Sequence, residues 1–334
     1  MKRSIHFSSL VTSLGASLLV TACGPESLPD EQLGETEQAL SQKLNYEVEP
    51  NDSVAAANPI ANNSVARGTA FLTDADFFAF EGTAGDRVFA ATMTMGSSSS
   101  TDSILDLFST DGSTILETDD NNGTLSTTAS SIAGTTLTQT GTHYLKARAT
   151  GTTSRIFYYD LHLNVQSGTP TPETEPNDMP PQNLPMSGYV SGDLSSATDV
   201  DTFAIPLQAG DTIYASLDLD PTRDGSEWNG QLGIGYFGTN TILANDAGGL
   251  TGPESEAIFA TVKNTGVYGV GVAAPAGVTT VGDYILSVAV HPATPATTNC
   301  TTYTSTDPPQ MIPTGPGAIT STIVVPGNPR IADI

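Results

Sequence analysis

Glu47-Val48-Glu49-Pro50-Asn51-Asp52 returns 126 residues later as Glu173-Thr174-Glu175-Pro176-Asn177-Asp178. The correspondence runs on downstream. Asp74-Ala75-Asp76 is answered by Asp199-Val200-Asp201, Gly85-Asp86 by Gly210-Asp211, and Gly141 by Gly266. Tyr159-Asp160-Leu161-His162-Leu163 is answered by Tyr284-Ile285-Leu286-Ser287-Val288. A period of that length is a whole domain, well beyond the ~20–50 residues of a solenoid unit. The chain is therefore read as one module written twice, which argues against a single enzyme fold.

Within each copy the signals are strands. Tyr159, Leu161, Leu163 and Val165 alternate with polar residues, whereas Tyr284, Leu286, Val288 and Val290 alternate with less polar ones. A period of two with one apolar face marks a half-buried antiparallel strand. Phe78 and Phe80 match Phe203 and Ile205, and Ile213, Ala215, Leu217 and Leu219 follow the Gly210-Asp211 turn. Short apolar runs broken by Gly, Asn and Asp, with no long helical pattern, indicate an all-β protein. Seven or eight strands per copy fit a β-sandwich. The expected architecture is two tandem jelly-roll-like antiparallel β-sandwiches, residues 45–166 and 173–291, joined by the Pro/Thr linker 167–172.

The chain has 334 residues, 36 of them Asp or Glu and 11 Lys or Arg, with a formal charge of −25. Such a balance repels nucleic acid and anionic headgroups and attracts cations. No His-Glu-x-x-His, Gly-x-Ser-x-Gly or Gly-rich phosphate loop occurs. His143 and His162 have no histidine counterpart in the second copy, and His291 lies at a domain end. A site common to both copies cannot use them, and no catalytic residue is assigned.

The start of the chain is basic, Met1-Lys2-Arg3, and an apolar stretch then runs to Val20-Thr21-Ala22-Cys23. The apolar core is too short to span a bilayer and reads as a secretory signal over residues 1–22. Val20 to Cys23 resemble a bacterial lipobox, which implies cleavage before Cys23 and lipidation of its thiol. Residues 24–44, rich in Glu, Gln, Pro, Gly and Ser, read as a flexible tether. The expected location is the bacterial cell envelope, lipid-anchored at the outer membrane or cell surface.

Glu-x-Glu-Pro-Asn-Asp, Asp-x-Asp-x-Phe, the Gly-Asp turn, Gly-x-x-Tyr or Gly-x-Tyr, and the closing Tyr-x-Leu-x-Val/Leu strand together resemble the bacterial pre-peptidase C-terminal domain family. The resemblance implies a jelly-roll-like sandwich, a passenger module usually appended to secreted proteases, and no catalysis of its own. Glu47 and Glu49 leave one face of an extended segment. If Asp76 lies beside them, as in calcium-binding relatives, the converging carboxylates call for a hard cation with oxygen ligands. Glu47, Glu49, Asn51, Asp52 and Asp76 would form one Ca²⁺ site, and Glu173, Glu175, Asn177, Asp178 and Asp201 the other, with Asp74 and Asp199 as further candidates. The competing reading is local: Asn51 or Asp52 caps a short helix over residues 53–57.

Two regions stand outside the repeat. Gly315 to Val325 and Ile331 to Ile334 resemble the opening strands of a proprotein-convertase P domain, so residues 292–334 read as a linker with a truncated P-domain start, or as a Pro-rich tail. In the first case Cys300 has lost a disulfide partner downstream; in the second it is a free thiol. In copy two the acidic loop Asp218 to Gly230 carries Asp220, Asp224, Glu227 and the one tryptophan, Trp228, which is expected to pack over a sheet edge. The functional expectation is a non-catalytic surface lipoprotein whose calcium-stiffened modules bind an extracellular protein or polysaccharide or act as a spacer. The alternative is an accessory region of a secreted protease whose catalytic domain lies elsewhere.

Overall fold

The computed structural model describes residues 45–293, apart from 122, 125–127, 180, 185–186, 227, 238–240 and 246–254, together with 332–333. The signal segment 1–22, Cys23, the tether, Glu227, Cys300 and nearly all of the P-domain-like stretch lie outside the described residues.

The first copy contributes β1 (Asn45–Tyr46), β2 (Asn58–Pro59), β3 (Ser64–Phe71), β4 (Ala75–Gly82), β5 (Arg87–Met93), β6 (Ser103–Phe108), β7 (Ile115–Asp119), β8 (Ser131–Thr136), β9 (Gly141–Ala149) and β10 (Arg155–Gln166). They form sheet I, in the order β1-β3-β10-β5-β8, and sheet II, in the order β2-β4-β9-β6-β7. The two-residue β1 and β2 pair parallel to their neighbours, and the eight longer strands pair antiparallel. This is the interleaved strand order of a jelly roll.

The second copy repeats it. β11 (Thr171–Pro172), β13 (Ser187–Asp193), β20 (Asp283–His291), β15 (Thr212–Asp218) and β18 (Ser255–Thr261) form sheet III in that order. β12 (Gln182–Asn183), β14 (Val200–Leu207), β19 (Gly266–Ala273), β16 (Gln231–Tyr236) and β17 (Thr241–Asn245) form sheet IV. Ala332–Asp333 adds a short parallel edge to β18. β11 takes up the last two residues of the expected linker.

Period-two side chains fill each sandwich. Phe78, Phe80, Leu105, Leu107, Leu145, Ile156, Leu161 and Leu163 meet in the first core. Phe203, Ile205, Ile213, Leu217, Ile234, Tyr268, Leu286 and Val288 meet in the second. Trp228 is buried in that second core, and its indole N–H donates to the Asp283 carbonyl at 3.0 Å.

A third cluster does not belong to either sandwich alone. Val65, Phe89, Ala91, Met93 and Ala133, on the outer face of sheet I, pack on Tyr214, Ala257, Phe259, Ile285 and Ala289, on the outer face of sheet III. Sheets I and III are therefore back to back, and the molecule is a stack of four sheets, II-I-III-IV. This explains why β5, β15 and β20 are buried along almost every residue and not on alternate ones. A strand sandwiched on both faces loses the alternation that water on one side imposes.

Polar contacts frame this joint. Arg87 reaches Asp218 at 3.3 Å and the Pro221 carbonyl at 3.0 Å. Arg223 returns to the Ala133 carbonyl at 2.6 Å while pairing with Asp218 at 2.6 Å. Asn164 and Gln166 donate to the Ser287 hydroxyl at 2.9 and 3.0 Å.

Candidate metal-binding sites

The Glu-x-Glu-Pro-Asn-Asp segment enters each sandwich at the same place, and both Glu49-Pro50 and Glu175-Pro176 are cis. In copy one, β1 hangs on β3, which directs Glu47 inward: its Oε1 accepts the Thr69 amide at 2.7 Å and the Thr69 hydroxyl at 2.9 Å. Glu49 turns back to accept the Asn51 amide at 2.9 Å. The Asn51 carbonyl receives the Phe77 amide at 3.0 Å, which fixes the segment beside β4 and its Asp76. Carboxylate oxygens of Glu47, Glu49 and Asp76 lie within 4.8 Å of one another.

Copy two matches this arrangement. Glu173 Oε1 accepts the Asp193 amide at 2.5 Å, Glu175 accepts the Asn177 amide at 3.0 Å, and the Thr202 amide donates to the Asn177 carbonyl at 3.3 Å. Oxygens of Glu173, Glu175 and Asp201 again lie within 4.8 Å.

Sequence reasoning missed one member of each site. The hydroxyl of Tyr159 donates to Asp76 at 2.5 Å and lies 3.5 Å from Glu47. The hydroxyl of Tyr284 lies 2.7 Å from Asp201 and 2.8 Å from Glu173, donating its single proton between them. Both tyrosines are core residues by their strand period, so the pattern explained them without the hydroxyl; the signal was that both copies keep Tyr and not Phe. Gly68 and Gly192 make room for them, because a Cβ at either position would overlap the tyrosine hydroxyl and the glutamate carboxylate.

The remaining candidates divide. Asn51 and Asn177 are buried within the sites. Asp52 and Asp74 converge with Glu49 in a second, shallower group found in copy one. Asp178 is exposed and joins no acidic group among the described residues. Asp199 instead accepts from the Ser195 amide and hydroxyl, at 2.7 and 2.6 Å. The capping alternative is not what forms: the short 3₁₀ turn Val54–Ala56 is preceded by Ser53, with no side-chain cap bond.

The electrostatics are those of crowded acids. Burial, with Glu47 next to it, pushes Asp76 up to about 9. Burial likewise pushes Asp201 up to about 9, with the Tyr284 hydrogen bond opposing and Glu173 adding to the shift. Burial raises Glu47 too, against the Thr69 hydrogen bonds. Each site also holds buried oxygens without a protein partner: Asp76 Oδ1 and Asn51 Oδ1 in one, Asp201 Oδ1 and Asn177 Oδ1 in the other. Buried acceptors are costly unless something donates to or coordinates them. An all-oxygen set of carboxylates plus amide oxygens suits a hard divalent cation and not zinc or copper. The residues present fit Ca²⁺.

The histidines take no part in these sites. His162 and His291 meet each other between sheets I and III, and His143 stacks on Phe80. No helix among the described residues is long and apolar enough to cross a membrane.

No family model and no curated protein matches the sequence. Among solved structures, the chain is similar to the pre-peptidase C-terminal domain of collagenase from Bacillus anthracis, at 16% identity over 32% of this chain and 94% of that one, TM-score 0.25. It is also similar to the PBSX exported protein XepA, at 7% identity over 70% and 90%, TM-score 0.23. A third is the CUB1-EGF-CUB2 region of human MASP-1/3, at 9% identity over 67% and 99%, TM-score 0.19.

Proposed function

We propose that this chain is a non-catalytic extracellular binding or spacer module, held at the cell envelope through lipidated Cys23 and stiffened by one Ca²⁺ in each sandwich. The observation that carries the reading is the twin acidic cluster, each copy holding a buried carboxylate oxygen and a buried amide oxygen that no protein group satisfies. Glu47, Glu49, Asn51 and Asp76 would hold one ion, and Glu173, Glu175, Asn177 and Asp201 the other. The ion would neutralise carboxylates that otherwise repel, and tie the entering segment to β4 or β14. An extracellular protein or polysaccharide is the proposed class of partner; the strongly acidic surface disfavours nucleic acid.

Thermal unfolding of the full chain in excess EDTA and then in Ca²⁺ tests this. A ligand that binds only the folded state adds about 2.7 kcal/mol per site at 100 times its dissociation constant. The melting temperature should rise with Ca²⁺, and the rise should vanish in the Glu49→Ala, Glu175→Ala double variant. A wild-type melting temperature unmoved by Ca²⁺ would reduce the motif to a structural turn.

A further inference from the structure

Sheets I and III bury two histidines against each other. His162, in the middle of β10, and His291, at the end of β20, place their Nε2 atoms 2.8 Å apart. One nitrogen must donate and the other accept, so the contact needs two neutral rings in opposite tautomers or a single proton more. The second nitrogen of His162, Nδ1, is buried with no partner.

Among the described residues, the contacts of the His162 ring, His291 apart, are aromatic and apolar. The His162 ring stacks on Tyr214 from β15, with centroids 3.7 Å apart, and meets the edge of Phe259 from β18 at 5.0 Å. On its own sheet it is flanked by Val65 of β3 and Ala91 of β5. Asp160, two residues back on β10, is paired with Arg67 at 2.7 Å. Asp211, beside the β15 residue that faces His291, is held by the Gln208 and Ala293 amides at 2.7 and 2.8 Å. Among the described residues, Tyr214 is thus the one other titratable group in ring contact with His162, and it carries no charge at neutral pH.

We infer that the His162–His291 contact is an acid-sensitive latch, and that proton uptake by this pair separates the two sandwiches along the sheet I–sheet III face. Burial lowers both imidazoles, His291 to about 4, and His291 further lowers His162. Once the faces part, both rings return to water and to an ordinary value near 6.5. The sign follows. The separated state binds more protons than the closed state between about pH 4 and 6.5, so closure is fully favoured above 6.5 and weakens as pH falls through that window. Two rings released to water multiply the opening constant by about 10³ between pH 7.5 and pH 5. At the far end of the same face, burial raises Asp218 despite Arg223 and Arg87, an effect of opposite sign. The histidine contribution must therefore be isolated by substitution. The inference does not depend on either acidic cluster.

The test uses the full chain at fixed Ca²⁺ over pH 7.5 to 4.5. Small-angle scattering and binding of an apolar dye report the parting of sheets I and III, while far-ultraviolet circular dichroism reports the sandwiches themselves. Wild type should expand and bind dye as pH falls below 6.5 with its strand signal intact. The His162→Gln, His291→Gln variant, which keeps a donor and an acceptor but cannot titrate, should stay closed. A wild type that remains compact and dye-free at pH 4.5 overturns the latch. So does a double variant that opens over the same range, or opening that coincides with loss of strand signal. A direct check needs no variant: proton NMR of the imidazoles should show these two rings uncharged at pH 6, and titration of both near 6.5 in the compact protein would equally overturn it.

Discussion

Tyr159 and Tyr284 do two jobs with one side chain. Each ring fills a sandwich core, and each hydroxyl crosses to the acidic group behind it. Tyr159→Phe keeps the ring and strips Asp76 of its one hydroxyl donor. Leaving a buried acceptor unsatisfied costs about 1–3 kcal/mol. Urea unfolding of the Tyr159→Phe variant at pH 7 in EDTA should show a loss of that size; a stability within about 0.5 kcal/mol of wild type would show that the hydroxyl is dispensable. The same residues mark how far the acidic sites were legible. Glu47, Glu49, Asn51 and Asp76, with their counterparts, could be read because carboxylates recurring at one spacing have few purely structural explanations. The tyrosines could not, because burial already accounted for them. Asp178 and Asp199 lie apart from the two carboxylate clusters, because sequence adjacency does not say which way a turn residue points. Asp199 bonds the Ser195 loop instead.

At the scale of the element, the decisive irregularity is the bulge where β5 meets β8. The register slips between Val88 and Phe89, leaving Gly134 unpaired at φ +79°. A bulge of this kind re-aims the strand next to it. Here it also opens the space into which Asp218 of the other sandwich enters, where a Cβ on Gly134 would overlap the Asp218 carboxylate. Gly151, at φ +76°, has nothing within 4 Å of the same position. Alanine at either glycine strains the backbone by about 1–2 kcal/mol. Only Gly134→Ala also forces the joint apart. Denaturant unfolding should therefore find Gly134→Ala the less stable of the two by at least about 1 kcal/mol, beyond the scatter of ordinary surface substitutions. Equal losses would mean that Asp218 is not docked there. Strand existence was readable from the alternation in β10, but the double-sided burial of β15 and β20 was visible only as polar positions filled by Tyr214, Ile285 and Ala289. That cue says a face is covered without saying by what.

For the whole molecule, a shared apolar face means that neither sandwich loses its structure unnoticed by the other. Calorimetry of the full chain at pH 7.5 should give one transition whose van't Hoff and calorimetric enthalpies agree. Phe259→Ala, which empties the centre of the joint at a cost of about 3–5 kcal/mol, should split it into two. Two resolved transitions in the wild type would contradict the coupling. Repeats written in tandem suggest beads on a string, and the covered face of β15 and β20 did not say that the second bead was the cover. The reason lies in how the copies differ. Phe89 in one stands where Tyr214 stands in the other, Met93 where Asp218 does, and His162 where Ser287 does. At these three positions what the duplication let drift faces the partner copy. The copies have become left and right hands: in this clasp neither could replace the other.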